Sequence, residues 1–323
     1  MSDPAKMPRY AITNWPRLRL FWRQRYLQMF ALAGILFILI FNYIPMFGIL
    51  IAFKNYKITS GLAGIFSSEW VGLKWFREFF TDYNSEAIIR NTLVMSVIKL
   101  VFTFPIPILL ALTLNEIKVP GIKRVVQTAS YLPYFISWVI VAGFCQIFLQ
   151  ADGFINSLLM SLDATAKNIA FQVTPKYFLP VVIFTSIWKD MGWWAILFLA
   201  SITGIDPTLY EAAGIDGAGR MRRIRHITLP GIRGTITVVL ILALGNLLGG
   251  GLSGSNFEQA YLLGNAGNNE VSEIIQTYVM KVGLSKQRYS YAAAIGLLQS
   301  IVSLCLVLIS NFTAKRVSGE GLF

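Results

Sequence analysis

Apolar residues run through this chain in long blocks, and the polar residues are gathered between them. Residues 27–53 hold no charged side chain at all. Further apolar blocks cover about 88–114, 125–150, 176–203, 229–250 and 290–313. A helix needs roughly 20 mostly apolar residues to cross a bilayer, so the pattern predicts an all-α integral membrane protein with about six transmembrane helices. Pro45 in the first block predicts a bend, and Pro105 and Pro107 interrupt the second. The expected organisation is a basic N-terminal segment (1–26), a transmembrane domain (27–314) and a short tail (315–323). No short repeat is visible, and no internal symmetry marks an inverted-repeat transporter.

One polar island stands out, the loop 204–228 between the fourth and fifth blocks. Asp206-Pro207 offers an N-cap followed by proline at the first helical position, and Thr208-x-x-Glu211 has capping-box spacing. Ala212 and Ala213 then give a slim helix that a groove accepts closely. Gly214 and Gly217 suit its end, because glycine takes positive φ without steric cost. A short, capped, slim-sided helix held between two spans suits docking to a partner. A well-capped loop with no partner is the plainer alternative.

Composition agrees with the membrane reading: 55% of residues are apolar and 14% charged, where a soluble domain has about 25% charged. The formal charge of +12 by itself would also suit nucleic acid. Its distribution points elsewhere. The N-terminus, the turn 115–124, the segment 204–233 and the tail carry most of the excess of lysine and arginine, and the remaining loops nearly balance. By the positive-inside rule these four segments, with both termini, are cytoplasmic, and no nucleic-acid partner is expected. Trp15, Phe21 and Trp22 among arginines predict an N-terminal segment lying on lipid. The first apolar block begins near residue 27, after a basic stretch, and is too long for a signal h-region, so no cleaved signal peptide is expected.

Candidate chemistry is sparse. Cys145 and Cys305 lie in apolar blocks and read as small buried hydrophobes. His226 is the only histidine and has no carboxylate or cysteine neighbours, so no metal site is expected. There is no phosphate-binding P-loop, and Gly249–Gly254, which lacks its lysine, reads as a flexible outer loop. No catalytic residue is expected. Lys189-Asp190 interrupts the fourth span between Trp188 and the Trp193-Trp194 pair. Ionisable groups at that depth cost about 2.5–3.5 kcal/mol or more and usually face a bundle interior or a cavity, while flat tryptophan faces suit sugar rings. Trp188, Lys189, Asp190, Trp193 and Trp194 are therefore candidates for a substrate path. An interfacial aromatic belt with lysine snorkelling outward is the alternative. Lys99 is a weaker candidate of the same kind. Asn311-Phe312-Thr313 matches a glycosylation sequon by chance, at the inner end of the sixth span.

Glu211-Ala212-Ala213, Asp216-Gly217-Ala218 and Ile227-x-Leu229-Pro230 together resemble the cytoplasmic loop signature of bacterial ABC importer permeases. Further stretches resemble the oligosaccharide and polysaccharide branch, among them Arg90-Asn91-Thr92, Tyr131-Leu132-Pro133, Trp188–Trp193, Tyr291–Gly296 and the ending Gly321-Leu322-Phe323. The resemblance spans roughly residues 30–323. It implies the importer permease fold in the bacterial inner membrane, with a coupling helix in which Glu211, Ala212, Ala213, Asp216 and Gly217 contact a cytoplasmic ATPase. It also implies a second, similar permease, two ATPase subunits that hold ATP and Mg, and an extracytoplasmic protein that delivers a saccharide. No cofactor is expected in this chain. The arginines 220, 222, 223 and 225 depart from the family pattern, in which an aromatic residue is common there. An ion-coupled secondary transporter is the alternative, but it leaves the Glu-Ala-Ala loop without a role.

Overall fold

The computed structural model describes residues 24–163 and 167–319. Most of the basic N-terminal segment and the ending Gly321-Leu322-Phe323 lie outside the described residues. The chain divides into two units, Met1–Leu50 and Ile51–Phe323. In the first, helix α1 (Arg25–Ile38) has no buried residue. Its helical path runs on to Phe53 as one span. Pro45 is absorbed by a change of helical type, from a π-turn at Leu39–Tyr43 to a 3-10 stretch at Phe47–Phe53, and the span stays whole.

The second unit is built from α2 (Lys74–Thr81), α3 (Ser85–Thr103), α4 (Pro105–Glu116), α5 (Pro120–Tyr131), α6 (Trp138–Phe148), α7 (Phe154–Leu162) and α8 (Pro175–Thr203). These are followed by α9 (Pro207–Ile215), α10 (Arg220–Arg223), α11 (Arg233–Gly245), α12 (Asn256–Leu263), α13 (Asn269–Ser272), α14 (Ile275–Met280) and α15 (Tyr289–Ser318). Among the described residues the only β-pairing is one antiparallel bridge, Lys54 to Trp70.

Four helical stretches are long and apolar enough to cross a membrane: Arg25–Phe53, Ser85–Glu116, Pro175–Thr203 and Tyr289–Arg316. Two more pass only as bent pairs, Pro120–Phe135 with Trp138–Phe148 (101°) and Arg220–Gly231 with Arg233–Gly245 (62°). Counting each pair as one span gives six. The third span is therefore not the straight helix that its apolar run predicts. Pro133 tightens the chain into a 3-10 turn, Ile136 and Ser137 take extended backbone, and the Ser137 hydroxyl caps the next helix by accepting from the Ile140 amide at 3.4 Å. Proline removes one ladder donor, and the serine opens a new helix with a cap.

The larger correction concerns residues 251–285, which the glycines predict to be a loop: they form a turn, three short α-helices and a closing π-helical turn at Lys281–Ser285. After α11 the chain reverses through Gly250, Gly251 and Gly254, and Gly250 and Gly251 are buried. Reversal sends α12 back into the protein, with Asn256, Gln259 and Ala260 buried.

Four apolar clusters hold the second unit together, the smallest being Ala52, Phe76 and Ala294. One joins α2, α3, α14 and α15 through Phe79, Ile88, Tyr278, Tyr291 and Ile295. A second joins α4, α8 and α11 through Ala111, Ala195, Phe198 and Val239. The third packs Met95, Phe178, Val182, Ala260 and Ile274. Small residues let helices meet closely in lipid, where apolar burial alone does not drive association. Gly192 shows how closely: a Cβ there would lie 2.1 Å from the carbonyl oxygen of Ser130 on α5. Apolar side chains left over, such as Val97, Phe184 and Leu304, face outward. Cys145 is buried as expected, but Cys305 is exposed on α15, on a face that suits lipid.

Candidate functional site

The polar island folds as a short helix clamped at both ends. At the start of α9 the Asp206 carboxylate accepts from the Thr208 amide at 2.9 Å, and Pro207 occupies the first helical position. Thr208 is thus inside the helix, so the cap is Asp206 and the Thr208-x-x-Glu211 box is not used. At the far end Gly217 has φ +73°, with the Gly217 amide bonded to Gly214 O and the Ala218 amide to Ala213 O at 2.8 Å. Those two bonds are the Schellman closure, in which a glycine takes the left-handed position.

No residue of α9 is buried. One face is tied down: the Tyr210 hydroxyl lies 3.0 Å from that of buried Thr228, and Ala213 is half-buried. The other face presents Thr208, Glu211, Ala212 and Ile215, spaced three and four apart so that they align. Glu211, Ala212, Asp216 and Gly217 are exposed, and Ile215 is 88% exposed. An isoleucine that open to solvent, on a helix pinned from behind, makes a contact surface. Arg220 reaches Glu116 at 3.8 Å, so the turn after α4 lies beside the island. Ile205 fills the space over Gly231, where a Cβ would come within 2.7 Å of its Cδ1. The segment between α8 and α9 is thereby packed against the bent helix of the fifth span. His226 Nδ1 lies 2.9 Å from the Arg222 carbonyl, a local helical contact.

Hydrogen bonds from the backbone and side chain of Thr208 hold the Asp206 carboxyl below the usual carboxylate range. A lowered carboxylate contributes stability above its unfolded value of about 3.9 and loses it as pH falls through the folded one. Replacing Asp206 with alanine should therefore speed amide exchange in the first turn of α9 at neutral pH, while Asp206→Asn, which still accepts, should not. Equal exchange in both variants would remove the cap from the account.

The five candidates on α8 point in three directions. Trp188 lines an apolar hollow of about 530 Å³ between α6, α7 and α8. Lys189 and Trp193, one turn apart, both face Tyr134. The Lys189 ammonium donates to the Tyr134 carbonyl at 2.6 Å and lies 5.0 Å from that ring and 5.6 Å from the Trp138 ring. Trp193 stacks on Tyr134 at 4.3 Å with 4° between planes. Lys189 is 6% exposed, so it is held inward and does not snorkel. Asp190 and Trp194, again one turn apart, face Ser253 and Thr103 across a small space.

Lys99, the weaker candidate, centres a polar nest behind Asp190 whose other members sequence reading passed over. Lys99 is buried, and its ammonium donates to Ser255 Oγ (2.8 Å), Asn256 Oδ1 (3.2 Å) and Gln259 Oε1 (2.6 Å). Gln259 in turn donates to Ser186 Oγ, Thr185 Oγ1 and the Val182 carbonyl on α8. Asn256 donates to Ser96 on α3. The clue was the run Ser253–Gln259, polar residues that a plain loop does not require.

Residues 89–319 match the model of the family described as binding-protein-dependent transport system inner membrane component. Protein LplB of Bacillus subtilis is 45% identical over 302 residues, covering 93% of this chain and 92% of LplB. The polygalacturonan/rhamnogalacturonan transport system permease protein YteP of the same organism is 44% identical, covering 93% and 91%. Among solved structures, a bacterial ABC transporter involved in import of the acidic polysaccharide alginate contains a similar chain. It shows 37% identity and a TM-score of 0.84, with 93% of this chain and 99% of that one aligned. A second structure shows such a transporter in complex with an alginate pentasaccharide-bound periplasmic protein, at 36% identity and a TM-score of 0.84, over 94% and 99%. This chain belongs to the binding-protein-dependent transport system inner membrane components, the permease subunits of ABC importers.

Proposed function

We propose that the chain forms half of the membrane path of an ATP-driven saccharide importer. A second permease would complete the path, two cytoplasmic ATPase subunits would bind ATP with Mg, and an extracytoplasmic binding protein would deliver the sugar. The observation that carries this is α9: capped at both ends, pinned from behind by Tyr210, and exposing Glu211, Ala212 and Ile215 with nothing of its own to cover them. Such a helix is a ready partner surface. Nucleotide-driven closure of the ATPases would push it, and the Ile205–Gly231 and Tyr210–Thr228 contacts would carry the push into the fourth and fifth spans. Transport then follows as a shift between outward-open and inward-open populations.

The sugar is read from relatives. YteP is described as handling polygalacturonan and rhamnogalacturonan, and the structural relatives handle alginate. Polygalacturonan and alginate are both uronate polymers, so an oligosaccharide rich in uronic acid is the substrate class that these relatives support, with alginate one member of it.

Glu211→Lys should weaken ATPase association by roughly tenfold or more, since a reversed charge in an interface is repelled as well as unpaired. Insertion into the membrane should be unchanged. The measurement is co-purification of the ATPase with the tagged permease pair, alongside sugar uptake in vesicles. Normal co-purification and uptake would remove α9 from the coupling role.

A further inference from the structure

Residues 260–285 border a further space, away from the α8 candidates. It is a cleft of about 440 Å³ between α12, α13 and α14, lined by both polar and apolar groups. It sits at the end of α8 remote from α9: the side-chain amides of Asn265 and Asn268 both donate to the Gln172 carbonyl at 2.8 Å, just before α8 begins. In the proposed orientation, this is the outer mouth.

We propose that this cleft is a saccharide subsite, taking a pyranose unit through its hydroxyl groups and one ring face. The proposal rests on the saccharide-importer reading and names a place where the sugar is held. Tyr261, 55% exposed, lines the cleft, and its ring lies parallel to that of Phe257 at 5.6 Å and 8°. A braced, exposed aromatic ring matches the C–H face of a sugar ring, which is apolar on one side and edged with hydroxyls. Glu273 and Lys281 supply the edge chemistry. They form an ion pair at 3.0 Å, so a carboxylate acceptor and an ammonium donor are fixed side by side in the lining. Each sugar hydroxyl both donates and accepts, and adjacent hydroxyls are satisfied by such a pair. Exposed Asn269 and Ser285 add further donors and acceptors to the lining.

Because the ion pair is neutral overall, the subsite reads hydroxyls and not carboxylates. Neutral and acidic oligosaccharides should therefore lose affinity alike when it is damaged. The wall is also continuous with the interior. Ala260 lines the cleft, and the preceding residue, Gln259, belongs to the Lys99 nest that joins α12 to α8.

The test uses the assembled complex of permeases and ATPases, with oligogalacturonate and a neutral oligosaccharide of equal length as probes. Binding is measured by saturation-transfer NMR, and uptake is measured separately in vesicles with the binding protein. Tyr261→Ala should raise Kd about fivefold for both sugars, while Tyr261→Phe, which keeps the ring, should leave it unchanged. Glu273→Gln with Lys281→Met should weaken binding without a preference between the probes. Sugar uptake by the wild type combined with unaltered Kd in these variants would overturn the cleft alone. Absence of both binding and uptake for every saccharide in the wild type would overturn the functional reading with it. Loss of the second permease from purified Tyr261→Ala would identify the cleft as a subunit contact and likewise overturn the subsite.

Discussion

Gly192→Ala will leave little correctly assembled permease. The missing side chain at this position is what lets α8 lie against α5. An added Cβ would stand 2.1 Å from the Ser130 carbonyl oxygen, 2.4 Å from its carbon and 2.9 Å from the Tyr131 ring. Two of those three atoms are backbone, so no rotamer change relieves the clash. Overpacking in a close contact costs about 1–3 kcal/mol and sometimes more, and here the only response is to part the helices. Parting them moves Tyr134, four residues on, whose carbonyl and ring hold Lys189 and Trp193. The expected result is a clear fall in the thermal unfolding temperature of the solubilised complex, with lost transport in whatever survives. Gly143→Ala is the control, because nothing lies within 4 Å of its added Cβ. It should fall within about 0.5 kcal/mol of wild type. Equal unfolding temperatures for the two variants would mean that α5 and α8 are not packed this way.

The spans and the capped island were legible in the sequence because each rests on a local rule. Apolar length marks a span whatever surrounds it, and Asp206-Pro207 followed by Gly217 marks a short helix from its two ends. What was not legible depends on partners distant in the chain. Residues 251–285 look like a loop because their glycines and asparagines are turn formers. The same asparagines are needed for another purpose, as Asn256 and Asn268 satisfy buried carbonyls and hydroxyls. Lys189 offered two readings, outward to water or inward to the path. Tertiary contact supplies a third, a carbonyl freed by the Pro133 turn. The break of the third span at Ile136-Ser137 was marked by Pro133, but an unbroken apolar run concealed it. The five path candidates share one helix, and a period of 3.6 residues sends Lys189 and Asp190 to different neighbours.

Lys99→Met should destabilise the bundle by about 3–5 kcal/mol, the range for removing one partner from a buried charged group. The lysine is 1% exposed, and its three direct acceptors are neutral, from Ser255, Asn256 and Gln259. Asp190 and Glu258 lie within Coulombic reach of the ammonium, and each has one buried carboxylate oxygen with no hydrogen-bond partner among the described residues. Lys99 thus helps to offset two carboxylates, sharing Asp190 with the neighbouring Lys189. Removing it takes the compensating charge from Glu258, leaves Asp190 to Lys189 alone, and leaves three polar side chains facing a thioether, which neither donates strongly nor carries charge. α12 is the element that should loosen first, because its hold on α3 and α8 runs through Asn256 and Gln259. The checks are the unfolding temperature of the complex and amide exchange in Asn256–Leu263. Adding Asp190→Asn to Lys99→Met should recover part of the loss, since it removes one of the two buried carboxylates that the lysine helped to offset. Recovery is the informative arm: a lysine that served only as packing would give additive effects in the pair, and the nest would then be a polar filler with no charge to balance.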